Sequence, residues 1–201
     1  MGQRPTPPTD QRPTPPLPPD AALLHAFVNT LDLRSFVRHG TTHQGGDQLS
    51  SPQALADWLR TRELVDPGTP ADRRDLDRAH RLRADLRACL APAPATVSSA
   101  DDAPSAGEPP AVRLDIRLST APGRPPALLP GTDGADGALT VIALAAVRAA
   151  QDGSLARLKV CQAPDCRWVF YDHSRPGLAR WCAPELCGNR MKTRAYRQRR
   201  H

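Results

Sequence analysis

Aromatic side chains are scarce in this chain. Phe, Trp and Tyr make up 4% of its 201 residues and the apolar total is 39%, which suits modest cores joined by polar chain rather than one large core. Lysine is scarcer still: of 27 basic residues, only Lys159 and Lys192 are not arginine. No apolar run approaches the ~20 residues of a membrane span, and the N-terminus lacks the basic-then-apolar pattern of a secretory signal. Both absences predict a cytoplasmic protein without membrane contact. Thiols stay reduced there, so paired cysteines favour a metal over a disulfide. Catalytic patterns are missing too: no nucleophile–base pair, no phosphate-cradling Gly loop, no paired-carboxylate motif. The chain is expected not to be an enzyme.

Proline, by contrast, is abundant at 23 residues, mostly outside the periodic segments. Residues 1–20 carry Gln3-Arg-Pro-Thr-Pro-Pro8 and repeat it as Gln11-Arg-Pro-Thr-Pro-Pro16. Such a segment cannot bury a core. It reads as a disordered leader sampling polyproline II, with a ligand for a Pro-binding domain as the alternative. Residues 91–110, rich in Ala, Pro, Ser, Asp and Gly, read as a flexible linker or insertion.

The stretch 21–155 reads as a mainly helical domain with a small β-hairpin. Asp20 is a candidate N-cap, and Leu23, Leu24, Phe27, Val28 and Leu31 follow at helical spacing, the helix ending across 27–33. Residues 38–50 read as a loop, with His39 and His43 exposed to solvent rather than metal-bound. Ser51-Pro52 opens a second helix with Leu55, Trp58 and Leu59 on one face. Thr69-Pro70 starts a third, from about 70 to 91. Its apolar stripe is Leu76, Ala79, Leu82, Leu86, Cys89 and Leu90, with Arg73, Arg74, Asp77, Arg81 and Asp85 outside. Cys89 is thereby expected to be buried. Val112, Leu114, Ile116 and Leu118 alternate with charged residues, which predicts a strand paired with a second near 126–130. Residues 131–137 read as a turn and 138–150 as the central apolar helix. Near the first helix's end, Asn29, Thr30, Asp32 and Arg34 either line a pocket for a small-molecule effector or form a capping cluster.

Four of the five cysteines fall within 27 residues, as Cys161-x₄-Cys166 and Cys182-x₄-Cys187. Two matching short loops supply the four thiolates that a tetrahedral Zn²⁺ requires. A Cys₄ set is coordinatively closed, so one structural zinc is expected and not a hydrolytic one. Residues 167–171 read as a strand, 173–177 as a turn and 178–181 as the returning strand. With the last ligand at the start of a helix, this is a treble-clef-like arrangement. Metal binding, worth roughly 10–16 kcal/mol in comparable peptides, would fold so small a unit.

Charge is uneven. Residues 157–201 hold eleven Arg or Lys against three acids, a net +8, whereas the remainder nets −2. Such asymmetry predicts a polyanionic partner for the C-terminal end. The run after Cys187 reads as a helix with Arg190, Arg194 and Arg197 in one stripe and Lys192, Tyr196 and Arg199 in the next, Arg200 following. Leu186, Met191 and Ala195 are placed to pack back on the zinc unit. A helix of this kind fits a DNA major groove, reading guanine edges or clamping phosphates.

The residues Cys161-x₄-Cys166, Arg167-Trp-Val-Phe-Tyr-Asp172 and Trp181-Cys-x₄-Cys-Gly-Asn-Arg190 resemble the CGNR zinc finger family, which takes its name from the tetrapeptide at 187–190. The resemblance covers about 157–200. Upstream, Phe27-Val-Asn-Thr-Leu-Asp32 and the helices at 54–60 and 70–90 resemble the ABATE domain, which precedes this finger in bacterial proteins described as stress-induced transcription regulators. The resemblance implies an α+β protein with an ABATE-like domain at 21–155 and a finger at 157–201; the Pro-rich leader at 1–20 and the 91–110 segment are additions to the family pattern. It implies a bacterial DNA-binding transcription regulator with a C-terminal reader, and the N-terminal domain is expected to sense a signal or form a homodimer. Within the finger, Gly188 is expected to permit a tight turn, Asn189 to cap freed backbone groups, and Arg190 to pair with Asp172 or a phosphate. Arg190, Lys192, Arg194, Arg197, Arg199 and Arg200 are the candidate DNA contacts. An RNA-binding or ribosome-associated module is the alternative, with Trp168, Phe170 and Tyr171 stacking unpaired bases on an exposed strand. A protein-interaction adaptor is the third reading.

Overall fold

The computed structural model describes residues 15–38, 41–92 and 112–199. Most of the Pro-rich leader, most of 91–110, His39 and Arg200 lie outside them. The chain is α+β. In order it forms α1 (Pro19–Val28), β1 (Leu31–Arg38), β2 (Thr41–Asp47), α2 (Pro52–Thr61), α3 (Arg73–Leu90), β3 (Ile116–Ser119), β4 (Ala127–Pro130), α4 (Gly134–Gln151), β5 (Leu158–Val160), β6 (Val169–Tyr171) and α5 (Asn189–Gln198). The strands make three separate antiparallel pairs, β1–β2, β3–β4 and β5–β6.

Helix α4 is central, as its apolar breadth predicts. Ala135, Ala138, Leu139, Ile142, Ala145 and Ala149 are buried in one cluster with Leu24, Phe27 and Val28 of α1, Leu55 and Leu59 of α2, and Leu76, Ala79 and Leu82 of α3. The helix begins earlier than expected, at Gly134 rather than 138. Pro18 stands at the N-cap of α1, and Asp20 lies in its first turn. There Asp20 accepts two hydrogen bonds from Arg148, at 2.9 and 2.6 Å, tying α1 to α4. Ser51 caps α2 as expected, accepting from the Ala54 amide at 3.1 Å. Helix α3 starts at Arg73 and not at Thr69-Pro70, because Asp72 and Asp75 form a reciprocal capping box that satisfies two otherwise free amides.

Three further expectations fail. Residues 38–50 are not a loop: 41–47 form β2, paired with β1. Glycine in that stretch serves close approach. The register shifts between Asp32 and Ser35, and a Cβ on Gly45 would collide with the Asp32 carbonyl oxygen. Cys89 is exposed, not buried, because the side of α3 facing the core is set by Leu76, Ala79, Leu82 and Arg83. The strand expected from Val112 to Leu118 is regular only from Ile116. Leu114 packs on the main core, whereas Val112, Ile116 and Leu118 face solvent, Leu118 being 60% accessible.

Arg83, seven residues after Leu76 and so on the apolar stripe of α3, carries a link that local sequence does not reveal. It is buried and donates twice to the Asp47 carboxylate, both at 2.6 Å, and once to Thr30 Oγ1 at 3.0 Å. Such bidentate pairing lets a charge stay buried. It clamps α3 to the end of β2 and to the α1–β1 corner.

Candidate metal centre and basic helix

Strands β5 and β6 flank the first cysteine loop, so the hairpin's turn is itself the zinc knuckle. The Cys161 amide donates to the Trp168 carbonyl at 2.8 Å, and the Cys166 amide to Ala163 at 2.9 Å. Residues 178–181 do not return as a strand; β6 pairs with β5 instead. The second loop ends in one wide turn, Pro184–Gly188, that runs directly into α5. Cys187 therefore sits at the root of the helix, as expected.

The four Sγ atoms lie within 4.8 Å of one another, with Cys166–Cys182 and Cys182–Cys187 both at 3.6 Å. A tetrahedron with Zn–S of ~2.3 Å has S···S edges of about 3.8 Å, so the set fits one zinc ion. Cys161, Cys166 and Cys187 are buried and Cys182 is half-buried. Thiols this close resist ionising together. Hydrogen bonding to Cys161 and the neighbouring charge push Cys166 up to about 12, and burial raises Cys187. A divalent cation supplies the charge that lets four thiolates coexist. The finger holds one structural zinc, and its closed donor set leaves no position for substrate.

The residues after Cys187 have specific structural tasks. Gly188 is helical, with φ −61°. It serves a close approach and not a left-handed turn, since a Cβ would lie tightly, 3.2 Å from Trp181 Cδ1. Asn189 donates from Nδ2 to the Glu185 carbonyl at 3.1 Å, the capping expected of it. Arg190 does not meet Asp172. Its Nη2 donates to Asp165 Oδ1 at 2.9 Å and approaches Cys187 Sγ at 3.7 Å. Its guanidinium centre lies 3.8 Å from the Phe36 ring centroid. Asp172 pairs with Lys159 at 2.8 Å and accepts from the Ser174 and Ala179 amides at 2.9 and 2.8 Å. Burial alone would raise its carboxyl, but these donors outweigh burial and hold it well below the usual carboxylate range.

The finger is docked on the helical part. Phe36 of β1 is buried among Cys161, Cys166, Phe170 and Cys187, while Leu158, Val160 and Val169 join the main core. Asn29 exchanges two hydrogen bonds with the backbone of Val169, 2.8 Å to its carbonyl and 3.0 Å from its amide. The Ser35 amide donates to Asp165 at 2.9 Å. Arg87 bridges Val28 and Arg167 carbonyls at 2.8 and 2.7 Å.

Asn29, Asp32 and Arg34 do not converge on one pocket. Asp32 and Arg34 form a bidentate ion pair, with Arg34 stacked 4.1 Å from the Trp168 ring. Only Asn29 borders a cleft, of about 500 Å³, beside α1, and its amide is already committed to Val169. Nor do Trp168 and the aromatics of β6 form an exposed stacking platform: Phe170 is buried, and Trp168 and Tyr171 are half-buried. On α5 Lys192, Arg194 and Arg197 are exposed, as is Arg199 at its C-cap, whereas Arg190 is engaged as above. Leu186 and Met191 pack on the zinc cluster, but Ala195 is exposed.

A family model described as "CGNR zinc finger" matches residues 157–200. A second, ABATE, described as "Putative stress-induced transcription regulator", matches residues 21–158, more than half of the chain. The chain belongs to the ABATE family. No curated protein matches it. The ABATE and CGNR segments meet at β5, whose Leu158 falls in both matches. Neither family description names a catalytic activity. Among the described residues, no helix is long and apolar enough to cross a membrane.

Phe36, Arg83 and Asp165 escaped sequence reasoning. The first lay in no recognised element, the second was a cation within the apolar stripe of α3 to which no role was given, and the third lay inside a cysteine loop. Only the alternation of Leu31, Leu33, Ser35 and Val37 against Phe36 hints at a strand there, and weakly.

Proposed function

We propose that this ABATE protein is a cytoplasmic bacterial transcription regulator that binds DNA through α5. The zinc centre acts as its scaffold, and the helical part senses a signal or dimerises. The observation that carries this reading is the state of the helix. Lys192, Arg194, Arg197 and Arg199 are exposed, and none forms an ion pair among the described residues. The root of α5 is fixed by Cys187, by Asn189 and by the Arg190 contacts. A rigidly mounted helix with unneutralised cations attracts a polyanion and fits a major groove.

The test is duplex binding titrated against salt. Neutralising about four to five phosphates gives a log–log slope of roughly −3.6 to −4.5. An Arg194→Ala/Arg197→Ala variant is expected to bind more weakly, with a slope shallower by about two. Salt-independent binding, or an unchanged double variant, would sink the proposal. Preference for single-stranded RNA in competition would replace DNA with RNA as the partner.

A further inference from the structure

Exposed apolar surface is concentrated on one ribbon. Val112, Ile116, Leu118, Leu128 and Leu129 make up half of the large apolar side chains exposed among the described residues, and all belong to the β3–β4 hairpin or its approach. A two-stranded ribbon is marginal alone in water, and a contiguous apolar patch marks an interaction surface. Strand β4 packs against α4. Strand β3 lies outside it, and among the described residues no strand pairs with its other edge.

The ladder fixes what that edge presents. The Gly131 amide donates to the Asp115 carbonyl at 2.8 Å, so Asp115 turns its backbone toward β4. By strand alternation, Ile116 and Leu118 turn theirs to the open side. Pro130, which has no N–H to give, stands opposite Ile116, as this alternation requires.

Residues 114–118 read Leu-Asp-Ile-Arg-Leu. Placed antiparallel to itself about Ile116, this run sets Leu114 opposite Leu118, Asp115 opposite Arg117 and Ile116 opposite Ile116. Both apolarity and charge are then matched. Moving the axis by one residue sets Asp115 on Asp115 and Arg113 on Arg117, or Arg117 on Arg117, and like charges directly opposite are destabilising. Asp115 and Arg117 are exposed, and neither has an ion-pair partner among the described residues.

We propose that β3 pairs with β3 of a second copy about a two-fold axis through Ile116, forming a four-stranded sheet in the order β4–β3–β3–β4. The proposal deepens the dimerising part of the reading above and rests on no DNA contact. Its functional consequence is that two α5 helices are presented with two-fold symmetry, which suits a palindromic site.

The experiment is sedimentation velocity on the zinc-loaded full chain without DNA. The unaltered protein is expected to be a concentration-dependent dimer. Asp115→Arg or Arg117→Asp places two like-charged pairs across the axis and is expected to weaken dimerisation by about tenfold or more. The double swap Asp115→Arg/Arg117→Asp is expected to restore the dimer, which also controls for loss of the hairpin. Arg194→Ala/Arg197→Ala is expected to dimerise normally, so failure of DNA binding and failure of pairing are separable. A monomer at all concentrations, single variants that dimerise undiminished, or a double swap that stays monomeric overturns the proposal.

Discussion

The Arg190 guanidinium, the last residue of the Cys-Gly-Asn-Arg run, lies 3.8 Å from the centre of the Phe36 ring. One residue comes from the finger and the other from β1, so the contact joins the two family segments face to face. On its other side Arg190 reaches Asp165 and Cys187, placing a cation beside a dianionic metal centre.

Truncating Phe36 should therefore be felt at the metal. Phe36→Ala removes a buried aromatic from the finger's own cluster, and such a change costs about 3–5 kcal/mol. Urea unfolding should show that loss, and zinc release to a chromogenic chelator should accelerate. Phe36→Leu should retain most of both. Unchanged release in Phe36→Ala would show that β1 does not support the zinc site.

Removing zinc should destabilise more than the finger. The bonds from Asn29 to Val169 and from Arg87 to Arg167 tie the knuckle hairpin to α1 and α3. A ligand present at a thousand times its dissociation constant stabilises by about 4 kcal/mol. Chelation is expected to lower the melting temperature of Trp58, on α2, together with that of the finger. Independent melting of the helical part at its original temperature would contradict the docking.

Asp172 predicts a pH dependence. Its folded pKa lies below the ordinary value near ~3.9, so its stabilisation is fully present above that value and fades as pH falls through the folded pKa. Asp172→Asn leaves Lys159 without its partner, at a cost of roughly 3 kcal/mol at neutral pH. The stability gap between the two proteins should narrow below about pH 4. A gap that stays constant down to pH 3 would assign the carboxylate no electrostatic role.

Cys89 should be dispensable. It is exposed near the end of α3 and lies outside the thiol cluster. Cys89→Ser is expected to change stability by less than about 0.5 kcal/mol and to leave one zinc per chain by metal analysis.

What could be read from the chain follows how local each signal is. The cysteine spacing, the Ser51-Pro52 start and the apolar period of α4 are written within a few residues, and each reappears in the structure. The β1–β2 hairpin was hidden because its glycines, which normally mark loops, here make room for the strand irregularity at Asp32. In sequence, Arg83 is a cation inside an apolar stripe, and Arg190 is a candidate partner of Asp172 or of a phosphate. They are occupied only because distant Asp47 and Asp165 come to meet them. Cys89 sits in the apolar stripe by spacing alone, but packing of α3 turned toward Arg83 and left it outside.

The Asn29–Val169 exchange has a consequence for building hybrids of such proteins. One side-chain amide imitates a peptide group and completes the backbone pairing of β6 from outside its own segment. A finger grafted onto a foreign partner at residue 157 would arrive with that strand unfinished and with a bare slot where the Phe36 ring belongs. The exchangeable cassette is thus discontinuous: the C-terminal segment together with residues 29–36, two pieces of chain that must be transplanted as one.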